Sequence, residues 1–365
     1  MLTSATLFVG AAALLLALIE GSASAVRIVG EIRAIGPETN FRKAKYDTLL
    51  GWIGQPAIHV PDMFARGVGL TNNVDGMRIH RPVQRALAPG MRRIICSGDS
   101  FTHGWGVGDS DTFCADLEAI LPRVETLNMA QPGYGIDQAY LWYKRDGAQW
   151  PHQLHLFAFI WNDFERMTMR NFSGYNKPIL RVKDGRVVAE NTPVPRVGGS
   201  GVSNWSYAAR VLQGLRLMQL LQRRTDNSDR AKLARTEQQI WTTSESVFRD
   251  LDALNKARGS QLVLLYLPTR IELVPGPLDA RRARLVAFAT GAGLTLIDLT
   301  EEMRRVPADS SQWFFITNRQ LAIRRAATHY TTLGHHWVAE AIARRLRDTP
   351  STNAVIAANR ISATP

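Results

Sequence analysis

Five short apolar runs punctuate this chain: Ile94–Cys96, Val124–Asn128, Leu154–Trp161, Gln261–Leu267 and Leu294–Leu299. Around them lie segments with apolar residues at helical spacing: Asp111–Leu121, Ile136–Trp150, Glu237–Ala257, Asp279–Ala289 and, closing the series, Gly334–Arg347. A strand that is apolar along its length has both faces covered, and crossovers long enough for a helix suit parallel pairing. The pattern predicts an α/β chain, a three-layer α/β/α sandwich around a central, mainly five-stranded parallel sheet. Chemistry in such a fold belongs at the carboxyl ends of the strands.

The first run leads into Ser97-Gly98-Asp99-Ser100-Phe101-Thr102 and then the Gly-rich turn Gly104–Gly108. A serine at a strand-to-helix turn is either a helix cap or an exposed nucleophile, and Ser100 fits both. Three further segments bear on the choice. Asn128–Gly135 follows the second run, Trp161-Asn162-Asp163 ends the third, and His329–His335 opens the last helix. Nothing around Ser100 matches the Gly-x-Ser-x-Gly elbow of α/β-hydrolases. The Gly104–Gly108 turn has neither the Lys-Ser/Thr ending of a phosphate loop nor dinucleotide spacing, so no nucleotide is expected.

Ser, Gly, Asn and His in that order resemble the four blocks of the SGNH (GDSL) hydrolase family. The likeness is to a bacterial membrane-anchored or exported branch whose first block runs into Trp105-Gly106-Val107 and whose second reads Pro132-Gly133-Tyr134-Gly135 followed by Asp137-Gln138. Leu50-Gly51-Trp52, Lys177-Pro178 and Thr192–Pro195 extend it. The resemblance implies a flavodoxin-like SGNH fold, no cofactor, Ser100 as nucleophile and His329 as base, five residues before Gly334. It also implies an oxyanion hole from the Ser100 and Gly133 N–H groups and the Asn162 side chain. His103, Asp99 and Tyr134 are candidate pocket residues, with His103 open as an alternative base.

The family's aspartate is missing. Two and three residues before His329 stand Ala327 and Ala326. A Ser100–His329 dyad held by a backbone carbonyl or water, an acid supplied by Asp309, Glu301 or Asp163, and a degenerate binding site all remain open. His335 and His336 are adjacent on a helix and cannot face one ion, so no metal is expected. The expected activity is serine ester hydrolysis through an acyl-enzyme, on a small-molecule, lipid or glycan O-acyl ester. An O-acyltransferase acting on a cell-envelope polysaccharide uses the same residues.

The formal charge of +12, from 44 basic and 32 acidic residues, lies largely on helical faces such as Arg281–Arg284 and Arg344–Arg347. It reads as a solvated surface, not a nucleic-acid site. Residues 5–19 form an uncharged apolar segment, right in length for a signal core and short of the about 20 residues of a spanning helix. Arg27, Arg33 and Arg42 follow it, a bias against export, and a core helix is the competing reading. The expectation is a membrane-anchored or secreted, extracytoplasmic protein. Cys96 and Cys114 read as two apolar thiols, a disulfide between them being conceivable. The domain plan is an apolar segment 1–25, a lead-in 26–90 packed on the core, an SGNH domain 91–347 with an insertion at 171–233, and a flexible tail 348–365.

Overall fold

The computed structural model describes residues 10, 11, 14, 15, 18, 43–196, 226–317 and 326–357. The chain forms two compact units: residues 44–196 with 239–365, and residues 1–43 with 197–238. In the second unit the described residues near the N-terminus are helical, with Leu14, Leu15 and Leu18 exposed. Among the described residues no helix is long and apolar enough to cross a membrane. In the second half of the insertion the sequence places apolar residues at helical spacing over Tyr207–Leu221, a stretch that lies outside the described residues.

In the first unit each apolar run becomes a strand: β1 (Arg92–Gly98), β2 (Val124–Ala130), β3 (Leu154–Phe159), β4 (Gln261–Tyr266) and β5 (Thr295–Asp298). They pair in the order β5-β4-β3-β1-β2, and every pairing is parallel. Helices around the strands include α1 (Ser100–His103), α2 (Phe113–Ile120), α3 (Ile136–Arg145), α4 (Trp161–Arg166), α5 (Asp226–Ala257), α6 (Leu278–Gly291), α7 (Thr332–Asp348) and α8 (Pro350–Ala357).

Alternate strand residues serve opposite layers, as the period of two requires. Ile95, Phe157, Phe159 and Leu264 pack with Tyr140 and Tyr143 of α3, Phe248 and Leu251 of α5 and Leu285 of α6. Ile94, Cys96, Leu156 and Leu265 pack on the other side with Phe113 and Leu117 of α2 and Val338 and Ile342 of α7. Each strand therefore carries apolar residues on both faces, the property that made the sheet legible. Cys96 and Cys114 are buried without a disulfide.

The described lead-in contributes two antiparallel hairpins, Ala44–Asp47 with Gly51–Gly54 and Ile58–Ala65 with Val68–Asn72. Its Leu50, Trp52, Ile53, Met77 and Ile79 enter the main core. The insertion's hairpin joins Ile179–Lys183 to Arg186–Glu190, turning on Asp184 and Gly185 with φ of 49° and 73°. Positive φ at both central residues is the type I′ requirement that an Asp-Gly pair meets at least cost. The expected flexible tail needs correcting: α8 occupies Pro350–Ala357, its Thr352 hydroxyl donates to the Leu346 carbonyl at 2.7 Å, and Val355 and Ile356 pack on the core. A short small-residue segment gains in that contact what its composition alone does not supply.

Candidate active site

Three neighbouring strand ends bring the first three sequence blocks together. β1 and β2 run in register to Gly98 opposite Ala130, and Gln131 N–H donates to the Gly98 carbonyl at 3.2 Å. β3 lies on the other side of β1. A side chain at Gly98 would overlap Thr102 Oγ1 and stand 2.6 Å from the Ala158 carbonyl, so glycine is what lets the chain turn so tightly into α1.

Asp99 caps that helix, its Oδ1 accepting from Phe101 N–H at 2.8 Å. Ser100 is the first helical residue, where an N–H has no intrahelical acceptor. Neither the Ser100 nor the Gly133 N–H donates to a protein acceptor among the described residues. At Gly133 φ is +81°, and an added Cβ would lie 2.7 Å from the Phe172 ring. Asn162, in the first turn of α4, has an exposed side chain that makes no hydrogen bond to a described residue. Ser100 N–H, Gly133 N–H and the Asn162 amide are thus uncommitted donors at adjacent strand ends.

His329 arrives from the far end of the chain. Thr328 holds the unusual φ of 73°, Phe315 bridges Tyr330, and His329 O accepts from Ile316 N–H at 2.8 Å. A β-branched residue in that region is strained and is kept there by its surroundings. The ring lies tilted against Phe101, centroids 4.8 Å apart, and sets Nε2 2.8 Å from Ser100 Oγ. Nδ1 lies 3.2 Å from the Ala326 carbonyl, which makes Nδ1 the protonated nitrogen and Nε2 the acceptor. Burial pushes His329 below the ordinary histidine range, Asp99 and the Ala326 carbonyl pulling the other way. Its imidazole is therefore neutral near pH 7.

None of the proposed substitute acids reaches it. Glu301 binds Arg282 and Arg304, Asp309 is an exposed residue bonded to Ser310, and Asp163 faces Arg166. The backbone carbonyl of Ala326 stands where the family's aspartate would act, three residues before the histidine.

Two of the pocket candidates are buried side chains. Tyr134 is fully buried, its hydroxyl donating to the Trp52 carbonyl at 2.5 Å, because the apolar ring packs edge-on to Trp52 at 5.6 Å. His103 is buried at the end of α1, and burial with Arg78 beside it holds its pKa well below the ordinary value. His329 rather than His103 faces the serine. Asp99 is likewise buried, with Oδ2 3.4 Å from Ser100 Oγ. His335 accepts from Phe113 N–H at 3.2 Å and burial pushes it down to about 3, whereas His336 sits near Asp116 and Glu340 at the surface.

Supporting residues that sequence reasoning missed lie behind the dyad. Arg78, fully buried, donates to the carbonyls of His103 at 2.7 Å, Gly104 at 2.5 Å and Val107 at 2.6 Å and pairs with Asp109 at 3.0 Å, shaping the turn after α1. Arg166 Nη1 reaches Asp99 at 3.1 Å, Asp163 at 2.5 Å and the Tyr134 carbonyl at 3.0 Å, joining all three strand ends. Burial opposes its charge, but Asp163 and Asp99 outweigh that. Burial and Asp99 in turn raise Asp163 well above the usual carboxylate range. Lys177, fully buried, pairs with Asp137 and donates to the Arg166 carbonyl at 2.9 Å. No local pattern marks these arginines as inward-facing; the Asp137-Gln138 and Lys177-Pro178 pairs were visible, though not as partners.

No family model matches the sequence, and no curated protein sequence matches it. Among solved structures, the chain is similar to an acetyl xylan esterase, AlAXEase, at 12% identity and TM-score 0.40, over 69% of this chain and 98% of that one. It is similar to a member of the lipolytic protein G-D-S-L family from Veillonella parvula DSM 2008 at 14% identity and TM-score 0.38, over 69% and 97%. A lipase/acylhydrolase from Enterococcus faecalis gives 14% and 0.36, over 71% and 96%. Identities and scores are low throughout, and what this site can do rests on its own residues.

Proposed function

We propose that this chain is a serine ester hydrolase of the SGNH type. The observation that carries the reading is the 2.8 Å hydrogen bond between Ser100 Oγ and His329 Nε2, made by residues 229 positions apart in the sequence. Nucleophile and base within hydrogen-bond reach, the base oriented by a third group, is the requirement for covalent acyl transfer. Here the orienting group is the Ala326 carbonyl.

In the proposed reaction Ser100 Oγ attacks the acyl carbon as its proton passes to His329 Nε2. The carbonyl oxygen becomes an oxyanion, received by the Ser100 and Gly133 N–H groups and the Asn162 amide. Collapse breaks the ester C–O bond and the leaving alcohol takes the proton from His329. Water, deprotonated by the same nitrogen, then attacks the acyl-serine, and the acid leaves with Ser100 regenerated. The substrate class is an O-acyl ester of a small molecule, lipid or glycan. The intact dyad supports a catalyst over a silent binder. Exposed Leu14, Leu15 and Leu18 on a helical segment support association of the N-terminus with a membrane, and the uncharged apolar segment 5–19 is the basis for the extracytoplasmic location proposed for the body.

Fluorophosphonate labelling and aryl-ester turnover test the proposal. Wild type is expected to label and turn over, and Ser100→Ala and His329→Ala to lose about a thousand-fold or more. Absence of labelling and of Ser100-dependent turnover would refute it. Acylated sugar formed when a glycan acceptor is added would identify a transferase instead. Activity of an alkaline phosphatase fusion made after residue 45 tests the location, and an inactive fusion would reject export.

A further inference from the structure

Proton transfer from Ser100 leaves His329 as an imidazolium in a largely buried place, with only a carbonyl on Nδ1. A carboxylate normally stabilises that charge. We propose that Asp99 is the positioning residue that takes over this role: its carboxylate, clamped by Arg166 on the serine's side of the dyad, stabilises the charged form of His329. The inference rests on the serine-hydrolase reading and adds the source of its negative charge.

Asp99 Oδ2 is 3.4 Å from Ser100 Oγ, which is 2.8 Å from His329 Nε2, so the carboxylate lies within about 6 Å of the nitrogen that receives the proton. Asp99 is 1% exposed, and an interaction over that distance away from water is weakly screened. Both carboxylate oxygens are fixed, Oδ1 by Phe101 N–H at 2.8 Å and Oδ2 by Arg166 at 3.1 Å.

The other groups facing His329 do not supply the charge. Arg166 opposes an imidazolium, but by less than Asp99 favours it. His103 and His335, buried behind, are held neutral. Among the described residues Asp99 is thus the carboxylate whose field favours the charged ring. Its capping role is separable, since Asn and Ser cap helices as well as Asp does and carry no charge.

The test follows the His329 imidazole by NMR titration in the full chain carrying Ser100→Ala, with and without Asp99→Asn or Asp99→Ser. Each neutral cap is expected to lower the proton affinity of His329 by about tenfold, one pKa unit. Ser at this position places no amide against Arg166, so it reads the charge even where Asn perturbs the fold. An unchanged or raised midpoint in a folded variant would overturn the proposal. With Ser100 restored, either substitution should cut kcat about ten- to a hundred-fold with KM nearly constant and move the acid limb of kcat/KM to lower pH. A limb that stays in place argues for a purely structural cap. The titration needs no substrate, so failure of fluorophosphonate to label wild type would sink the hydrolase reading while the midpoint still decided the role of Asp99.

Discussion

Replacing Lys177 by methionine should be among the most damaging single changes in the chain, although Lys177 touches neither Ser100 nor His329. Both partners of the Lys177–Asp137 pair are fully buried. Desolvation already raises the Asp137 carboxyl above the ordinary range, with Lys177 and the Gln138 N–H pulling it down. Removing the cation leaves a buried carboxylate without its partner, a loss of about 3–5 kcal/mol. The Arg166 carbonyl loses a donor at 2.9 Å in the same step, about 1 kcal/mol towards the upper end of that range.

The pH dependence follows from the sign of the shift. A carboxyl whose folded pKa lies above its unfolded value of about 4 binds its proton more tightly when folded, so stability is lost as pH rises through the folded value. Without Lys177 that value moves higher still. The penalty should therefore be smallest at acid pH, where the carboxyl is protonated, and grow as pH rises, measured by urea unfolding followed through tryptophan fluorescence. Asp137→Asn/Lys177→Met should recover at least half of it, because the uncompensated charge is gone. A single variant within about 1 kcal/mol of wild type at pH 8, or a penalty independent of pH, would refute the account of a buried, mutually dependent pair.

Three other outcomes are expected. Esterase activity should persist to pH values below the ordinary histidine pKa of about 6.5, since burial depresses His329 and the neutral ring is the base; a kcat/KM profile with its acid limb above 7 would contradict this. Asn162→Ala should lower kcat by about a hundred-fold or more with an unchanged melting temperature, because its exposed amide has no hydrogen bond to a described residue to lose; a large stability loss would assign it a structural role. Cys96 and Cys114 should resist a thiol reagent until the protein unfolds, burial having raised Cys114 well above the ordinary thiol value, and rapid native-state labelling would count against that.

The five strands and the neighbourhood of Ser100, Gly133 and Asn162 were legible because they depend on local facts. A strand buried on both faces must be apolar throughout, and in a parallel sheet every strand delivers its C-terminal turn to one edge. The histidine could be named from spacing, but its orienter could not. A missing aspartate reads as a gap in a sequence, whereas a carbonyl from Ala326 fills it without any side-chain signature.

Burial divides the rest in the same way. Tyr134 and His103 have the composition of pocket residues, and only the fold shows both to be buried, Tyr134 against Trp52 and His103 beside Arg78. α8 formed where composition suggested a loose tail, since its contacts come from α7 and the core.

The sequence by itself determined the layer architecture and the strand ends that carry the chemistry, because hydrophobic periodicity and turn chemistry are written in neighbouring residues, and its resemblance to the SGNH blocks singled out Ser100 and His329. Only the tertiary structure decided what surrounds them: that Arg166 joins Asp99, Asp163 and the Tyr134 carbonyl, that Lys177 meets Asp137, and that Asp99 lies against the dyad while Asp309 and Glu301 do not. Those pairings depend on desolvation and distance between distant segments, quantities that exist only once the chain has folded.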